Sequence, residues 1–152
     1  MAAPSLRLNR HADRSRYVLG FAFNEAGTRV ILVDHRRGIV SGFFNGVGGR
    51  VRKQETYAQA MHRTFLLQTG VLVTNGWTPF AIIESDDRRI QIYRADLTPQ
   101  CWHAIHTESD EPVQRCSTGS LPDRVYADVP SLVSLGLNQL PTAVVRFEYR
   151  PL

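Results

Sequence analysis

The chain has 152 residues, 43% of them hydrophobic and 21% charged, an ordinary globular composition that argues against intrinsic disorder and coiled coil. Its length predicts a single domain, and its apolar runs are too short for a membrane-spanning helix. Two cysteines exclude a disulfide scaffold and indicate a reducing cytoplasm as the expected location.

Positive charge is concentrated in the first part of the chain. Residues 1–63 hold eleven Lys and Arg against four acids, although the net charge of the whole chain is only +4. Seventeen of the eighteen cations are arginine, whose planar guanidinium suits phosphate and carboxylate groups. The pattern indicates either an anion-binding surface or a solvated one, and composition alone does not decide between them.

Residues 1–16 are polar and Arg-rich, and they lack the apolar run of a secretory signal, so we interpret them as a basic N-terminal arm. Residues 17–152 form the predicted domain. Residues 17–23 and 29–34 are rich in β-branched and aromatic side chains around a turn, which predicts a hairpin. The next segment, 39–51, contains four glycines at which the backbone is expected to turn or to approach another group closely: Gly42, Gly46, Gly48 and Gly49.

Residues 56–69 form the clearest predicted helix. Thr56 stands at its start, no Gly or Pro interrupts it, and Gly70 follows as the expected residue after its end. Its helical spacing aligns two neighbouring stripes, Tyr57-Met61-Phe65 and Ala60-Thr64-Leu67.

The remaining pattern predicts a mixed α/β fold with more strands than helices. Residues 77–84 and 90–93 read as a second hairpin with an acidic turn, and residues 98–118 give no assignment. Residues 131–140 have helical spacing, and residues 143–149 are typical of a last strand.

The segment 45–71, NGVGGRVRKQETYAQAMHRTFLLQTGV, resembles the signature of Nudix hydrolases. The signature positions are matched without a gap by Gly49, Glu55, Arg63, Phe65, Gly70 and Val71. The resemblance implies a Nudix-like α/β/α sandwich with a mixed curved sheet in a single domain. It further implies that Gly49 and Gly70 shape the backbone and that Glu55 and Arg63 form an ion pair between loop and helix.

Three signature positions depart from the family. Where the family has metal-binding glutamates, this chain has Thr64, Leu67 and Gln68. Magnesium prefers carboxylate, phosphate and water oxygens, so these residues predict that no metal is bound there. We therefore expect no cofactor. Mg²⁺ would be needed only by a divergent hydrolase of nucleoside diphosphate derivatives that recruits other acids, such as Glu84, Asp86 or Asp87.

Two other kinds of site are weaker alternatives. The glycine-rich stretch 45–49 lacks the Lys-Ser/Thr end of a phosphate-binding P-loop. Four residues in the unassigned region could bind zinc, but their spacing matches no known ligand pattern: Cys101, His103, His106 and Cys116.

The preferred function is that of a pseudoenzyme, a binding or regulatory module for a protein, nucleotide or nucleic-acid partner. The alternatives are the divergent hydrolase and an RNA- or single-stranded-DNA-binding module. We expect the basic arm and the turn Arg36-Arg37 to converge with Arg50, Arg52 and Lys53 near the position of the lost metal, and the stripe Ala60-Thr64-Leu67 to face a partner unless a loop covers Leu67. The predicted ligand or partner contacts are Arg36, Arg37, Asn45, Arg50, Arg52 and Leu67. The oligomeric state is not predicted.

Overall fold

The computed structural model describes residues 14–38, 40–138 and 144–149 of the chain. Most of the predicted basic arm, residues 1–13, therefore lies outside the described residues. The first strand begins at Ser15, two residues earlier than the sequence pattern predicts.

Eight strands and three helices are present among the described residues. In chain order they are β1 Ser15–Phe23, β2 Arg29–Asp34, β3 Phe44–Asn45, β4 Val47–Arg50, α1 Tyr57–Thr69, β5 Thr78–Glu84, β6 Arg88–Asp96, α2 Pro99–Ala104, β7 Val113–Ser117, α3 Val129–Asn138 and β8 Val145–Glu148. Both predicted hairpins, the two longer helices and the last strand are confirmed. The unassigned stretch supplies α2 and β7.

The strands form one mixed sheet around β1. Along one edge β1 runs parallel to β6, and along the other it pairs antiparallel with β4 and, at its end, with β2. Strands β3 and β7 extend the sheet beyond β2, while β5 pairs antiparallel with β6 and parallel with β8. This arrangement brings β4 and the start of α1 against the middle of the sheet.

Two apolar clusters cover the two faces of the sheet. One contains Met61 and Phe65 of α1 together with Trp102 of α2. The other contains Leu132 and Val133 of α3. The chain is therefore a single α/β/α sandwich, as predicted. No helix in the described part of the chain is long and apolar enough to span a bilayer.

Local sequence explains both ends of α1. The Thr56 hydroxyl accepts a hydrogen bond from the backbone N–H of Gln59, and the Gln59 side chain accepts one from the N–H of Thr56, at 3.1 Å and 2.9 Å. This reciprocal pair satisfies backbone donors that the first turn leaves free. Gly70 ends the helix with a φ of 73°, which a residue with a Cβ rarely adopts.

Candidate functional site

Strand β4 passes between β1 and α1 because two of its residues have no side chain. A Cβ built on Gly48 would lie 2.1 Å from the carbonyl oxygen of Val18, and one on Gly49 would lie 2.8 Å from Cγ2 of Thr64. Glycine is thus required for the close approach of β4 to both neighbours. The helix is held against the strand at the position where the signature begins.

Glu55 and Arg63 join the loop after β4 to the middle of α1. Arg63 donates two hydrogen bonds to the carboxylate, from Nε at 2.7 Å and from Nη2 at 2.8 Å. The same carboxylate accepts the backbone N–H of Arg52, and Arg63 Nη2 also donates to the carbonyl of Arg50. The predicted ion pair is present in the structure, and its hydrogen bonds fix the loop at two further points.

The environment of this pair favours its charged state. The hydrogen bond from Arg63 lowers the pKa of Glu55 to about 2 against the smaller opposing effect of burial, and the Arg52 N–H adds to the lowering. The hydrogen bond to Glu55 in turn raises the pKa of Arg63. Both side chains are less than one quarter exposed, so the pair is not a solvated surface contact.

The three altered signature positions have different surroundings. Thr64 is buried, and its hydroxyl donates to the helix carbonyl of Ala60 at 2.9 Å. Leu67 is 54% exposed. The Gln68 amide donates weakly to the carbonyl of Gly48 at 3.4 Å, while its Oε1 is buried without a hydrogen-bond partner.

These residues do not fit a magnesium ion. The threonine hydroxyl is engaged within the helix, the leucine offers no donor atom, and only the amide oxygen of Gln68 remains available. A divalent cation needs several hard oxygen ligands, and its binding is weakened most when carboxylates are absent.

Glu84, which the sequence suggests as a replacement ligand, is surrounded by cations. Its carboxylate lies 2.8 Å from Arg14, 3.5 Å from Arg89 and 3.8 Å from Arg146. Burial by itself raises the pKa of Glu84, but the Arg14 hydrogen bond and the three positive charges outweigh it and lower the pKa. Three neighbouring guanidinium groups repel a metal cation from this carboxylate.

The other suggested ligands are not brought together either. Asp86 and Asp87 are exposed in the turn between β5 and β6, and Asp87 accepts a hydrogen bond from Ser85. Within residues 14–38, 40–138 and 144–149, no three His, Cys, Asp or Glu side chains are grouped as a metal site would require. This also applies to the zinc alternative: Cys101 and Cys116 are both free thiols.

A basic groove lies beside the signature, and it is lined by the start of β1, the end of β4 and the following loop. We define it by its residues Arg14, Ser15, Arg16, Arg50, Val51, Arg52, Lys53 and Arg63. Arg16 organises the loop by donating to the carbonyls of Glu55 and Arg52 at 3.1 Å and 3.0 Å. Arg50, Arg52 and Lys53 are exposed, and among the described residues none of these three has a carboxylate at ion-pair distance.

No known family profile matches the sequence, and no curated protein does. Solved structures do match the fold. MutT, from a study of the Aliivibrio salmonicida and Vibrio cholerae proteins, gives a TM-score of 0.66 at 18% identity over 84% of this chain and 98% of that chain. A NUDIX hydrolase from Nitrosomonas europaea gives 0.67 at 13% identity over 90% and 80%. A NUDIX-family hydrolase from Clostridium perfringens gives 0.66 at 15% over 82% and 97%. The chain has the Nudix fold.

In this Nudix fold Arg36 and Arg37 do not line the basic groove, so the predicted convergence is wrong for this turn, although the end of the arm does line the groove. Arg36 pairs with Asp34 at 3.0 Å, and Arg37 pairs with Asp110. The backbone N–H of Arg36 donates to Glu111 at 2.8 Å. Asp34 of β2 and the acids of the loop before β7 neutralise this turn. The sequence could not indicate the contribution of that loop because it carried no assignable pattern.

Asn45 lies in a second depression, the glycine cleft, which shares no lining residue with the basic groove. The glycine cleft also includes His35, Gly46, Gly48 and Gly49. The Asn45 side chain accepts the backbone N–H of Gly46 at 2.8 Å, so its oxygen is already used to shape the turn.

The prediction that the stripe Ala60-Thr64-Leu67 faces a partner is wrong for two of its three residues. Ala60 is fully buried and Thr64 is 5% exposed, because β4 packs directly on them. Leu67 alone among the three is exposed. The alternative in which a loop covers Leu67 does not hold for the described residues.

Arg14 and Arg16, at the end of the predicted arm, line the basic groove together with Arg50, Arg52 and Lys53, as expected, but they are not part of a loose arm. Arg16 instead belongs to β1, and Arg14 precedes the strand directly. The sequence feature that indicates this placement is the continuity of both residues with the apolar run that begins at Tyr17. The Nudix fold places both beside the loop that carries Arg52.

Proposed function

We propose that this Nudix-fold chain is a binding module that holds phosphate-bearing ligands without metal-dependent hydrolysis. The observation that carries the proposal is the set of residues at the metal positions. Thr64, Leu67 and Gln68 provide no carboxylate, and the Thr64 hydroxyl is engaged by Ala60. Without a metal clamp on the diphosphate, this cleavage chemistry loses its main electrostatic stabilisation.

The basic groove supports phosphate as the ligand chemistry. Arg50, Arg52 and Lys53 project from the end of β4 and the loop that follows it, and Arg16 and Arg63 fix this segment through its backbone carbonyls. Guanidinium groups bind phosphate oxygens in a bidentate geometry, and a fixed loop reduces the entropy lost on binding. Direct contact with cations replaces the metal-bridged contact that a Nudix hydrolase would make.

The aromatic side chains beside the groove favour contacts to phosphates over stacking with bases. The ring of Tyr57 is covered by the guanidinium groups of Arg16 at 5.4 Å and Arg89 at 6.0 Å. The ring of Tyr17 is covered by Arg88 at 5.9 Å. Nucleotides and single-stranded nucleic acids share the required chemistry, and binding should depend on salt and little on sequence. We place this activity in the cytoplasm.

Fluorescence anisotropy with a labelled single-stranded oligonucleotide, in the presence of a chelator, tests the proposal. Replacing both Arg50 and Arg52 by alanine should weaken binding at least about tenfold, because each charge-assisted contact contributes on the order of 1.5–3 kcal/mol. Arg29→Ala is the matched control, since Arg29 is an exposed arginine outside the groove.

Competition identifies the source of the phosphate. Displacement by nucleoside triphosphate at low concentration indicates a nucleotide site, and displacement only by longer strands indicates a nucleic-acid site. Equal affinity of the double variant and of Arg29→Ala would overturn the proposal. Displacement by polyglutamate as effective as by the oligonucleotide would also overturn it, in favour of an acidic protein partner.

A further inference from the structure

Within the described part of the chain, strand β8 forms an edge of the sheet. Among the described residues it pairs only with β5. The register aligns Glu148 with Glu84, and the backbone N–H of Tyr149 donates to the Glu84 carbonyl at 2.7 Å. Successive residues of a strand direct their backbone groups to opposite sides. The backbone N–H and C=O groups of Phe147 therefore point to β5, whereas those of Arg146 and Glu148 point away from it. Such an edge is a template for another strand.

Large apolar side chains accompany this edge. Phe147 is 40% exposed and Tyr149 is 58% exposed. They line a pocket of about 400 Å³ together with Ile83 of β5 and Leu132 of α3. Exposed aromatic side chains next to an open edge are typical of an interface and are costly to leave in water.

The other face of β8 carries excess positive charge. Glu84 is shared by Arg14, Arg89 and Arg146, and Arg146 is the most distant, at 3.8 Å. The Arg146 side chain is 56% exposed. Arg146 shares the Glu84 carboxylate with two closer guanidinium groups, so a further acid placed opposite Arg146 would be stabilised.

We infer that β8 pairs antiparallel with β8 of a second copy of this chain, about a two-fold axis at Phe147. In this register Arg146 of each copy lies opposite Glu148 of the other, and the two residues exchange backbone hydrogen bonds. The ion pair between copies forms in addition to the interaction that Glu148 makes within its own chain. The sequence Arg146-Phe147-Glu148 is charge-complementary to itself in the antiparallel direction and not in the parallel one.

The two-fold axis brings the apolar side chains together as well. Phe147 becomes the non-hydrogen-bonded pair of the ladder, in which opposing Cα atoms lie about 4.5 Å apart and side chains are closest. The two rings then contact each other at the mouths of the two pockets. The contact between Arg146 and Glu148 occurs twice, as in other two-fold interfaces, whereas the contact between the two Phe147 rings lies on the axis and occurs once.

Sedimentation velocity over a range of concentrations tests this inference on the full chain. The wild-type mass should rise from that of one chain, 17.2 kDa, towards twice that value. Arg146→Glu and Glu148→Arg should each weaken association at least about tenfold, because like charges then face each other. Arg37→Glu is the control, since Arg37 is an exposed cation away from this edge.

Mixing the two charge-reversed variants is the decisive experiment. Each copy of one variant then meets opposite charges on the other, so association should return in the mixture and also in the double variant R146E/E148R. Circular dichroism establishes that every variant is folded. A wild-type chain that stays monomeric, charge reversals without effect, or a mixture of folded variants that does not associate would each overturn the inference.

Discussion

The two halves of the signature segment differ: the first matches the Nudix signature, and the second lacks its glutamates. From Gly49 to Arg63 the residues make the contacts that fix the loop to the helix, including the two hydrogen bonds between Arg63 and Glu55. From Thr64 to Gln68 no carboxylate is present, and the Thr64 side chain packs against β4. One helix therefore carries an intact scaffold next to a site without its metal ligands.

The first half is held by contacts within the chain. The Glu55 carboxylate is held by Arg63 and by a backbone N–H, so its charge is compensated within the chain. A loop stabilised in this way can present other residues at the same place. Here it presents Arg50, Arg52 and Lys53.

Removing the ion pair should have the largest effect on stability. Arg63→Ala leaves the Glu55 carboxylate, whose side chain is 13% exposed, without its main partner. The free energy of unfolding should fall by about 3 kcal/mol. Arg37→Ala removes an exposed ion pair and should cost between about 0 and 1 kcal/mol. Urea unfolding of both variants checks the comparison, and equal losses would contradict a special contribution from the scaffold half.

Acid should weaken the same half of the segment. The pKa of Glu55 falls from 4.5 to about 2 on folding, so between these values the unfolded chain binds more protons than the folded one. The stabilisation is complete above this window and is lost as the pH falls through it, to a total of about 3 kcal/mol. The free energies of unfolding of the wild type and of Glu55→Gln, measured across this pH window, should converge at its acid end. Two curves that stay parallel would contradict the low pKa assigned to Glu55.

The packing of β4 on α1 can be tested with a smaller substitution. Gly49→Ala places a Cβ 2.8 Å from Cγ2 of Thr64 and should cost about 1–3 kcal/mol through overpacking. Thr64→Ser removes that methyl group, so the penalty of Gly49→Ala should shrink in the double variant. A double-mutant cycle by thermal unfolding measures this coupling. Additive effects would mean that Thr64 does not fill the space beside Gly49.

The smallest effect is expected at Leu67. Because this side chain is 54% exposed, Leu67→Asp should change the free energy of unfolding by no more than about 0.5 kcal/mol. Phe65→Ala, which empties a fully buried position two residues away, should cost about 3–5 kcal/mol. A large fall in melting temperature for Leu67→Asp would show that the altered half is core rather than surface.

The sequence predicts those parts of the structure that depend on local signals. Helix α1 follows from Thr56 at one end and Gly70 at the other, and the hairpins follow from β-branched runs around turns. The Glu55–Arg63 pair follows from the family signature. In each of these cases the deciding residues are close in the chain.

The features that were missed depend on contacts between distant segments. Arg37 pairs with Asp110 of a loop that has no periodicity, so no local pattern could separate Arg37 from the basic groove. Arg14 reaches Glu84 only because β1 lies beside β6 in a parallel register. The burial of Thr64 depends on the close passage of Gly49, which spacing along the helix does not reveal.

The central claim is that the altered half of the signature supports no metal-dependent cleavage. Its most direct test is magnesium-dependent turnover of nucleoside triphosphates, ADP-ribose and dinucleotides by the purified chain, with and without chelator. We expect turnover no higher than in the absence of protein, while the oligonucleotide is still bound in the presence of chelator. Turnover that the chelator abolishes, and that Glu84→Gln or Asp87→Asn reduces, would contradict it.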